Sequence, residues 1–155
     1  MLAFYDVNED YVNFLKTIDP KIPNIKYDTN NKFVCGVVLD VNGIQYYAPV
    51  SHMNKKQQTN FLIYQGDRAI ASVRFSFMFP APMEVLTKKD FKAISQYDSQ
   101  YANLLATELS YCSSHSEALM KKALSVYKIG CNKDHVLNKV CCDFPALEQG
   151  YMDYK

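Results

Sequence analysis

The first half of the chain alternates hydrophobic and polar residues in the way that is typical of β-strands. Residues 2–7 alternate weakly, and residues 33–41 place an apolar residue or cysteine at every odd position. Asn42-Gly43 follows the second segment and is the strongest two-residue signal for a β-hairpin, because both positions of the turn need a positive φ. The pattern therefore predicts a hairpin whose second strand covers residues 44–50.

A second strand pair is predicted beyond this hairpin. Residues 61–65 and 69–79 are rich in β-branched and aromatic residues, and they flank Gly66-Asp67. Pro80 follows the second segment and is expected to end it, because proline donates no hydrogen bond to a strand ladder. The first half of the chain is thus predicted to be mostly β.

Apolar residues at helical spacing predict one helix near the start and three in the second half of the chain. Each predicted helix begins at a side chain that can cap its N-terminus. The caps are Asn8, Thr87, Asp98, and Ser114 with Glu117 as a capping box. Pro20 ends the first helix, Ile94 lies at the end of the second, and Gly130 ends the last.

Early strands and late helices, with no alternation of strand and helix, are typical of an α+β domain. We expect a compact, twisted antiparallel sheet with surrounding helices, formed by residues 1–155 as a single domain. The content of 48% hydrophobic and 21% charged residues is ordinary for a folded protein and excludes disordered and fibrous classes.

The sequence has the features of neither a membrane-spanning nor a secreted protein. Its apolar runs are far shorter than the ~20 residues that cross a bilayer. Its first ten residues hold three acids and no base, whereas a secretory signal begins with basic residues. We therefore expect a cytoplasmic protein.

The five cysteines predict neither a disulfide framework nor a redox site, because their number is odd and no C-x-x-C spacing occurs. Cys131 and His135, with Cys141 and Cys142, come nearest to a metal site, but zinc ligands usually form two well-spaced pairs. The five glycines form no nucleotide-binding motif. We expect no metal and no cofactor.

The net charge of +1 is distributed unevenly, and the middle of the chain is its basic part. Between Asp40 and Asp67 there is no acid, and this stretch contains His52, Lys55 and Lys56 among polar residues. A phosphate group would be tolerated there. On charge alone, a solvated polar turn is the simpler interpretation.

Candidate chemistry lies at both ends of the predicted hairpin. Tyr27 and Lys32 precede its first strand, and its second strand is followed by Ser51, His52, Lys55 and Lys56. Antiparallel pairing brings the start of one strand beside the end of the next, so we expect the two groups to meet. Lysines, a hydroxyl and an imidazole, with no carboxylate nearby, suit a phosphodiester and predict metal-free RNA cleavage.

Each of these residues also has a structural interpretation. His52 could be a hydrogen-bonded loop histidine, and Ser51 could close the turn. Lys32 could protect a strand edge from aggregation, and Tyr27 could hold its loop against the surface. Only their convergence across one hairpin makes the catalytic hypothesis competitive.

Several short segments carry a family resemblance along nearly the whole chain. They are Phe4-Tyr5, Tyr11-Val-Asn-Phe-Leu-Lys16, Lys32-Phe-Val-Cys-Gly-Val-Val-Leu39, Tyr47-Ala-Pro-Val-Ser-His52, Phe75-Ser-Phe-Met-Phe-Pro80, Leu104-Leu105-x-x-Glu108-Leu109 and the segment from Cys142 to Tyr151. In their order and spacing the chain resembles the ToxN/AbiQ endoribonuclease toxins of type III toxin–antitoxin systems, with the CptN subgroup as the best fit.

The resemblance implies a bacterial toxin that cuts adenine-rich RNA without a metal and leaves 2′,3′-cyclic phosphate and 5′-hydroxyl ends. Its partner would be a short repeated RNA antitoxin, which the toxin processes into pseudoknot units and which closes with it into an alternating assembly. Such systems act in phage abortive infection. The implied fold is similar to that of the Kid and MazF toxins.

Carried over residue by residue, the resemblance assigns roles to Lys32, Tyr27, Ser51 and a loop lysine. We expect Lys32, Ser51, His52 and Lys55 to be catalytic, and Tyr27, Lys26 and Lys56 to bind RNA. Family members often have a hydroxyl where this chain has His52, so His52 either exchanges protons or orients the loop. The loop differs from the family by about one residue in register, so that Lys55 and Lys56 both fit the family lysine.

Two other classes of function compete with the nuclease. In a non-catalytic RNA-binding module, the same lysines would follow phosphates and Tyr27 would stack on a base. A metal or thiol enzyme would instead use Cys131, His135 and Cys141. Incubation with adenine-rich RNA in excess EDTA separates these hypotheses.

Overall fold

The computed structural model describes residues 2–24 and 32–154. In these ranges the chain forms seven strands and five helices, joined by turns and short 3-10 segments. The strands are β1 (Ala3–Val7), β2 (Phe33–Val41), β3 (Ile44–Ser51), β4 (Asn60–Gln65), β5 (Arg68–Arg74), β6 (Phe79–Pro80) and β7 (Leu86–Lys88). The helices are α1 (Glu9–Ile18), α2 (Phe91–Ser95), α3 (Ser99–Ser114), α4 (Ser116–Cys131) and α5 (Phe144–Asp153).

The strands form one antiparallel sheet in the order β4-β5-β3-β2-β1-β7, and β6 pairs with β3. Helix α3 packs against β4, α4 packs against β2, and α5 packs against β6 and α1. Apolar side chains from the sheet and from the helices form a shared core. The α+β class and the antiparallel sheet predicted from the sequence are confirmed.

Local signals predicted several elements correctly. The side chain of Asn8 accepts from the backbone amides of Asp10 and Tyr11 and caps α1, and Asp98 caps α3. The turn between β2 and β3 has a φ of 53° at Asn42 and 88° at Gly43, as the Asn-Gly pair predicted. These caps and this turn need only neighbouring residues, which is why the sequence reveals them.

The regular alternation predicted for β2 was wrong in its second half. The pairing of β2 with β3 shifts between Gly36 and Leu39, so Val38 is fully buried while Val37 is only partly buried. A Cβ at Gly36 would lie 2.2 Å from an atom of the Tyr47 ring. Glycine is therefore required where the backbone of β2 passes this ring.

The strand predicted for residues 69–79 was also too long. Strand β5 ends at Arg74, and the next three residues form a 3-10 turn. This turn buries both Phe75 and Met78, which an extended strand would direct to opposite faces. The Phe75 amide donates to the carbonyl of Thr59, and this bond holds the turn against the start of β4.

Two predicted helix starts were wrong. Thr87 belongs to β7 and pairs with Asp6, while α2 begins later and is capped by Asp90. Ser114 is the last residue of α3, so it forms no capping box with Glu117. At Thr87, strand pairing prevailed over the preference of this residue for a helix cap. At Ser114, the preceding helix simply continued through the predicted cap.

Helix α5 was not predicted from periodicity, and long-range hydrogen bonds tie it to the rest of the fold. The carboxylate of Glu148 accepts from the hydroxyl of Tyr46 at 2.6 Å and from that of Tyr127 at 2.7 Å. These bonds satisfy the polar ends of two largely buried rings and join α5 to β3 and α4.

Within residues 2–24 and 32–154, none of the helices has both the length and the apolar character needed to cross a bilayer.

Candidate active site

The two predicted groups of functional residues meet at one end of the β2–β3 hairpin. Phe33, the first residue of β2, pairs with Val50 near the end of β3. Lys32 directly precedes Phe33 and Ser51 directly follows Val50, so the antiparallel register places these two residues side by side. The approach of Lys32 to Ser51 that was expected from the hairpin is thus observed, while Tyr27 lies outside the described residues.

Ser51 is the last residue of β3 and lies opposite Ser72 of β5. Its Oγ accepts a hydrogen bond of 3.1 Å from the backbone amide of Met53, so this serine does help to form the turn. Its hydroxyl hydrogen is not used in that bond and can be donated to another acceptor. Ser72 is fully buried, and its hydroxyl has no hydrogen-bond partner among the described residues.

The basic loop between β3 and β4 is held in shape by Asn60. The side chain of Asn60 is buried, accepts from the amide of Gln57 at 2.9 Å and donates to the carbonyl of Lys55 at 3.0 Å. The side chains of Lys55 and Lys56 are exposed. The loop therefore presents two ammonium groups on a backbone that is anchored at Lys55.

His52 lies against a buried carboxylate that the sequence did not predict. Its Nε2 atom is 3.7 Å from Oε2 of Glu108, which α3 contributes. The imidazole is 63% exposed, whereas the Glu108 side chain is 0% exposed. The expectation that no carboxylate lies near the basic loop was therefore wrong.

The environment of Glu108 disfavours its charged form. Burial raises the pKa of its carboxyl group to about 7. Neither carboxylate oxygen has a hydrogen-bond partner within the described part of the chain. Glu108 is therefore poised to hold or release a proton near neutral pH, next to an imidazole that is open to solvent.

A groove of about 450 Å³ begins where the basic loop ends. Its lining includes the amide side chains of Gln57 and Gln58 and the guanidinium of Arg74. The Arg74 guanidinium carbon lies 4.6 Å from the centre of the Phe77 ring, and its buried Nε has no hydrogen-bond partner among the described residues. Amides, a cation and an aromatic ring offer the kinds of contact that RNA bases accept.

The comparison with known protein families gives one match over almost the whole chain. The model of the toxin ToxN, type III toxin–antitoxin system, matches residues 3–152. The chain belongs to the ToxN toxin family.

Relatives and solved structures agree with this assignment. The chain is 26% identical to the endoribonuclease ToxN of Bacillus thuringiensis subsp. kurstaki, over 98% of this chain and 84% of that protein. It is also 25% identical, with a TM-score of 0.90, to a structure from work on selective toxin inhibition by a non-coding RNA pseudoknot in bacterial type III systems. That match covers 99% of this chain and 97% of the other.

A third match is the structure of AbiQ, a lactococcal anti-phage endoribonuclease that belongs to the type III toxin–antitoxin system. Its identity to this chain is 24% and the TM-score is 0.85, over 99% of this chain and 98% of the other. At this level of identity the match concerns the fold. The ToxN/AbiQ resemblance inferred from the sequence is thus confirmed by the family match and by relatives along the full chain.

The alternative site at the cysteines has little chemical support within the ToxN fold. Burial raises the pKa of the Cys131 and Cys141 thiols, the latter to about 11, so both are protonated and weakly nucleophilic at neutral pH. Nδ1 of His135 accepts from the amide of Leu137 at 3.0 Å. Among the residues that the structure describes, no three His, Cys, Asp or Glu side chains are arranged to hold a metal ion.

Two of the predicted RNA-binding residues, Lys26 and Tyr27, lie outside the described residues. The main omission from the sequence prediction is Glu108. A signal for it exists, because the buried stripe of α3 consists of Ala102, Leu105, Glu108 and Cys112. A carboxylate in an otherwise apolar stripe at helical spacing is a buried charge, and such groups often mark functional sites.

Proposed function

We propose that this chain is an endoribonuclease toxin whose active site lies at the end of the hairpin, around Lys32 and Ser51. The observation that carries this proposal is the Phe33–Val50 pairing, which puts a lysine, a hydroxyl and the basic loop together. Membership of the ToxN family supports it, as does the naming of the Bacillus relative as an endoribonuclease.

The proposed reaction is an internal transesterification of RNA. The 2′-oxygen of a ribose forms a bond to the adjacent phosphorus, and the bond from phosphorus to the 5′-oxygen breaks. A base takes the 2′-hydroxyl proton and an acid gives a proton to the leaving oxygen. The products are a 2′,3′-cyclic phosphate and a 5′-hydroxyl.

Each predicted residue has a role in this reaction. Lys32 and Lys55 offset the extra negative charge of the pentacoordinate phosphorane, and Ser51 positions a phosphate oxygen. The ammonium groups supply the positive charge that metal ions supply in two-metal nucleases, so we propose cleavage without a metal. His52 exchanges protons with the reacting oxygens, since imidazole is suited to this near neutral pH.

The substrate and partners follow from the same proposal. We propose that adenine-rich RNA is cut, with Lys26, Tyr27 and Lys56 binding the strand. We also propose that a repeated RNA antitoxin is processed into pseudoknots and then held by the toxin in a closed alternating assembly in the bacterial cytoplasm. The related system in which an RNA pseudoknot selectively inhibits the toxin supports this partner.

Cleavage of adenine-rich RNA in excess EDTA is the direct test of the proposed activity. The purified chain should cut the RNA and leave 5′-hydroxyl ends that polynucleotide kinase labels without prior phosphatase treatment. Activity that disappears in EDTA and returns with magnesium would contradict the metal-free mechanism. Binding without cleavage, in a folded preparation, would support the RNA-binding module instead.

RNA affinity should depend on salt through the exposed lysines of the loop. Each phosphate neutralised on a single strand contributes about 0.7 to the slope of log affinity against log salt. We expect Lys55→Ala and Lys56→Ala each to reduce the slope by about this amount for an uncleavable 2′-O-methyl RNA. Lys121→Ala is the matched control, since Lys121 lies near Asp40, towards the far end of β2. Equal slopes for all variants would remove the loop lysines from the RNA interface.

The proton-exchange role of His52 predicts a change in the pH profile of cleavage. His52→Ala should lower the rate and change the shape of its pH profile, because the imidazole takes or gives a proton in the reaction. The measurement is kcat/KM for a short RNA between pH 5 and pH 9. If the variant keeps the shape of the wild-type profile at a reduced rate, then His52 only orients the loop.

A further inference from the structure

The Glu108 carboxylate is buried in the apolar stripe of α3, and among the described residues it accepts no hydrogen bond. Its neighbours on that stripe are Ala102, Leu105 and Cys112, and its oxygens make no hydrogen bond within the described residues. A buried carboxylate without hydrogen bonds lowers the stability of a fold, so stability does not account for Glu108 at this position.

The side chain that Glu108 faces is His52. Oε2 of Glu108 lies 3.7 Å from Nε2 of His52, slightly longer than a hydrogen bond. Such contacts are often long in free enzymes and tighten when substrate binds. The carboxylate is buried and the imidazole is exposed, so the pair spans the boundary between the core and the solvent at the proposed active site.

We propose that Glu108 is a positioning residue that accepts the Nε2 proton of His52 and thereby leaves Nδ1 as the atom that exchanges protons with RNA. This inference rests on the proposed function. A carboxylate that accepts from one ring nitrogen selects the tautomer and the ring orientation of a histidine. The other ring nitrogen is then the one left for the substrate, on a side chain that is 63% exposed.

Tyr101, on the same helix, is a second titratable group that the charge of Glu108 affects. Burial, together with the charges of Asp6 and Glu108, raises the pKa of Tyr101 to about 12, so it remains neutral around pH 7. His52 approaches Glu108 from the loop between β3 and β4. Of Tyr101 and Glu108, it is therefore Glu108 whose pKa lies near neutral.

The test uses two substitutions at the same buried position. Glu108→Gln keeps the shape and an oxygen acceptor, whereas Glu108→Leu keeps the size, suits the apolar stripe and removes the acceptor. If Glu108 positions His52, the rate of RNA cleavage should fall by about tenfold in E108L and by much less in E108Q. The melting temperature at pH 8 should change in the opposite direction to the cleavage rate: both E108L and E108Q should melt at a higher temperature than the wild type.

A double-mutant cycle with His52→Ala separates positioning from any general effect on the fold. In the H52A background, E108L should have no further effect on the cleavage rate. An equal loss of cleavage rate from E108L in both backgrounds would overturn the proposal. A cleavage rate that rises and falls with the melting temperature across the variants would also overturn it. Glu117→Gln, at an exposed position in the first turn of α4, is the control for the loss of one negative charge.

A second measurement does not depend on RNA cleavage. Two-bond ¹H–¹⁵N NMR spectra of the free protein report which ring nitrogen of each histidine carries the proton, and the chain has only three histidines. His52 should be the Nε2–H tautomer in the wild type and a mixture of tautomers in E108L. An unchanged tautomer in E108L would overturn the positioning role even if the chain proves to be a nuclease. If the chain does not cleave RNA, the NMR result still tests the contact.

Discussion

Lys32→Ala and Ser51→Ala are each expected to reduce cleavage of an adenine-rich RNA by roughly a hundredfold or more, because donors aimed at the charge that develops in the transition state have effects of this size. Lys32 precedes β2 and is only partly buried, and Ser51 ends β3. Their substitution should therefore leave the core intact. The measurement is single-turnover cleavage by purified variants with the wild-type circular dichroism spectrum.

The matched control for these variants is Lys121→Ala. Lys121 lines a groove with Asp40 and Gln45, next to the turn between β2 and β3 and remote from Lys32. The K121A variant loses one surface lysine outside the proposed site, so it should cleave RNA at the wild-type rate. Wild-type rates for folded K32A and S51A proteins would exclude both residues from catalysis.

Glu108 should make the stability of the fold depend on pH in a direction opposite to that of most carboxylates. Its pKa in the folded chain is raised to about 7, so between its ordinary value and pH 7 the folded state binds more protons than the unfolded state. Stability therefore falls as the pH rises through this window. The penalty is absent below the ordinary pKa and complete above pH 7, where it reaches roughly 3 kcal/mol.

Urea unfolding of the wild type and of Glu108→Gln at pH 5 and pH 8 measures this penalty. The glutamine does not ionise, so E108Q should gain roughly 2 to 3 kcal/mol over the wild type on going from pH 5, where a small part of the penalty is already present, to pH 8. Glu117→Gln removes an exposed carboxylate and should show no such gain. If the difference between E108Q and the wild type is the same at both pH values, then Glu108 does not carry a buried proton.

The residues of the proposed site differ in how far the sequence could reveal them. Lys32, Ser51 and the loop lysines flank a hairpin whose turn is specified by two adjacent residues, so their proximity follows from local chemistry. Glu108 is separated from His52 by 56 positions, and its contact depends on how α3 packs against β4. The sequence analysis did not single out Glu108, and the pattern of α3 alone carries no information on what this carboxylate faces.

The α+β class, the Asn42-Gly43 turn, the caps at Asn8 and Asp98 and the approach of Lys32 to the end of β3 could be read from the sequence, because each depends on residues that are close along the chain or on a simple period. Only the tertiary structure decided where β5 stops, which face of β2 is buried beyond Gly36 and which carboxylate reaches His52. Burial depends on side chains that the fold brings together from distant positions of the chain. The burial of Phe75, Val38 and Glu108 therefore prevails over the local conformation and exposure that their sequence neighbours favour.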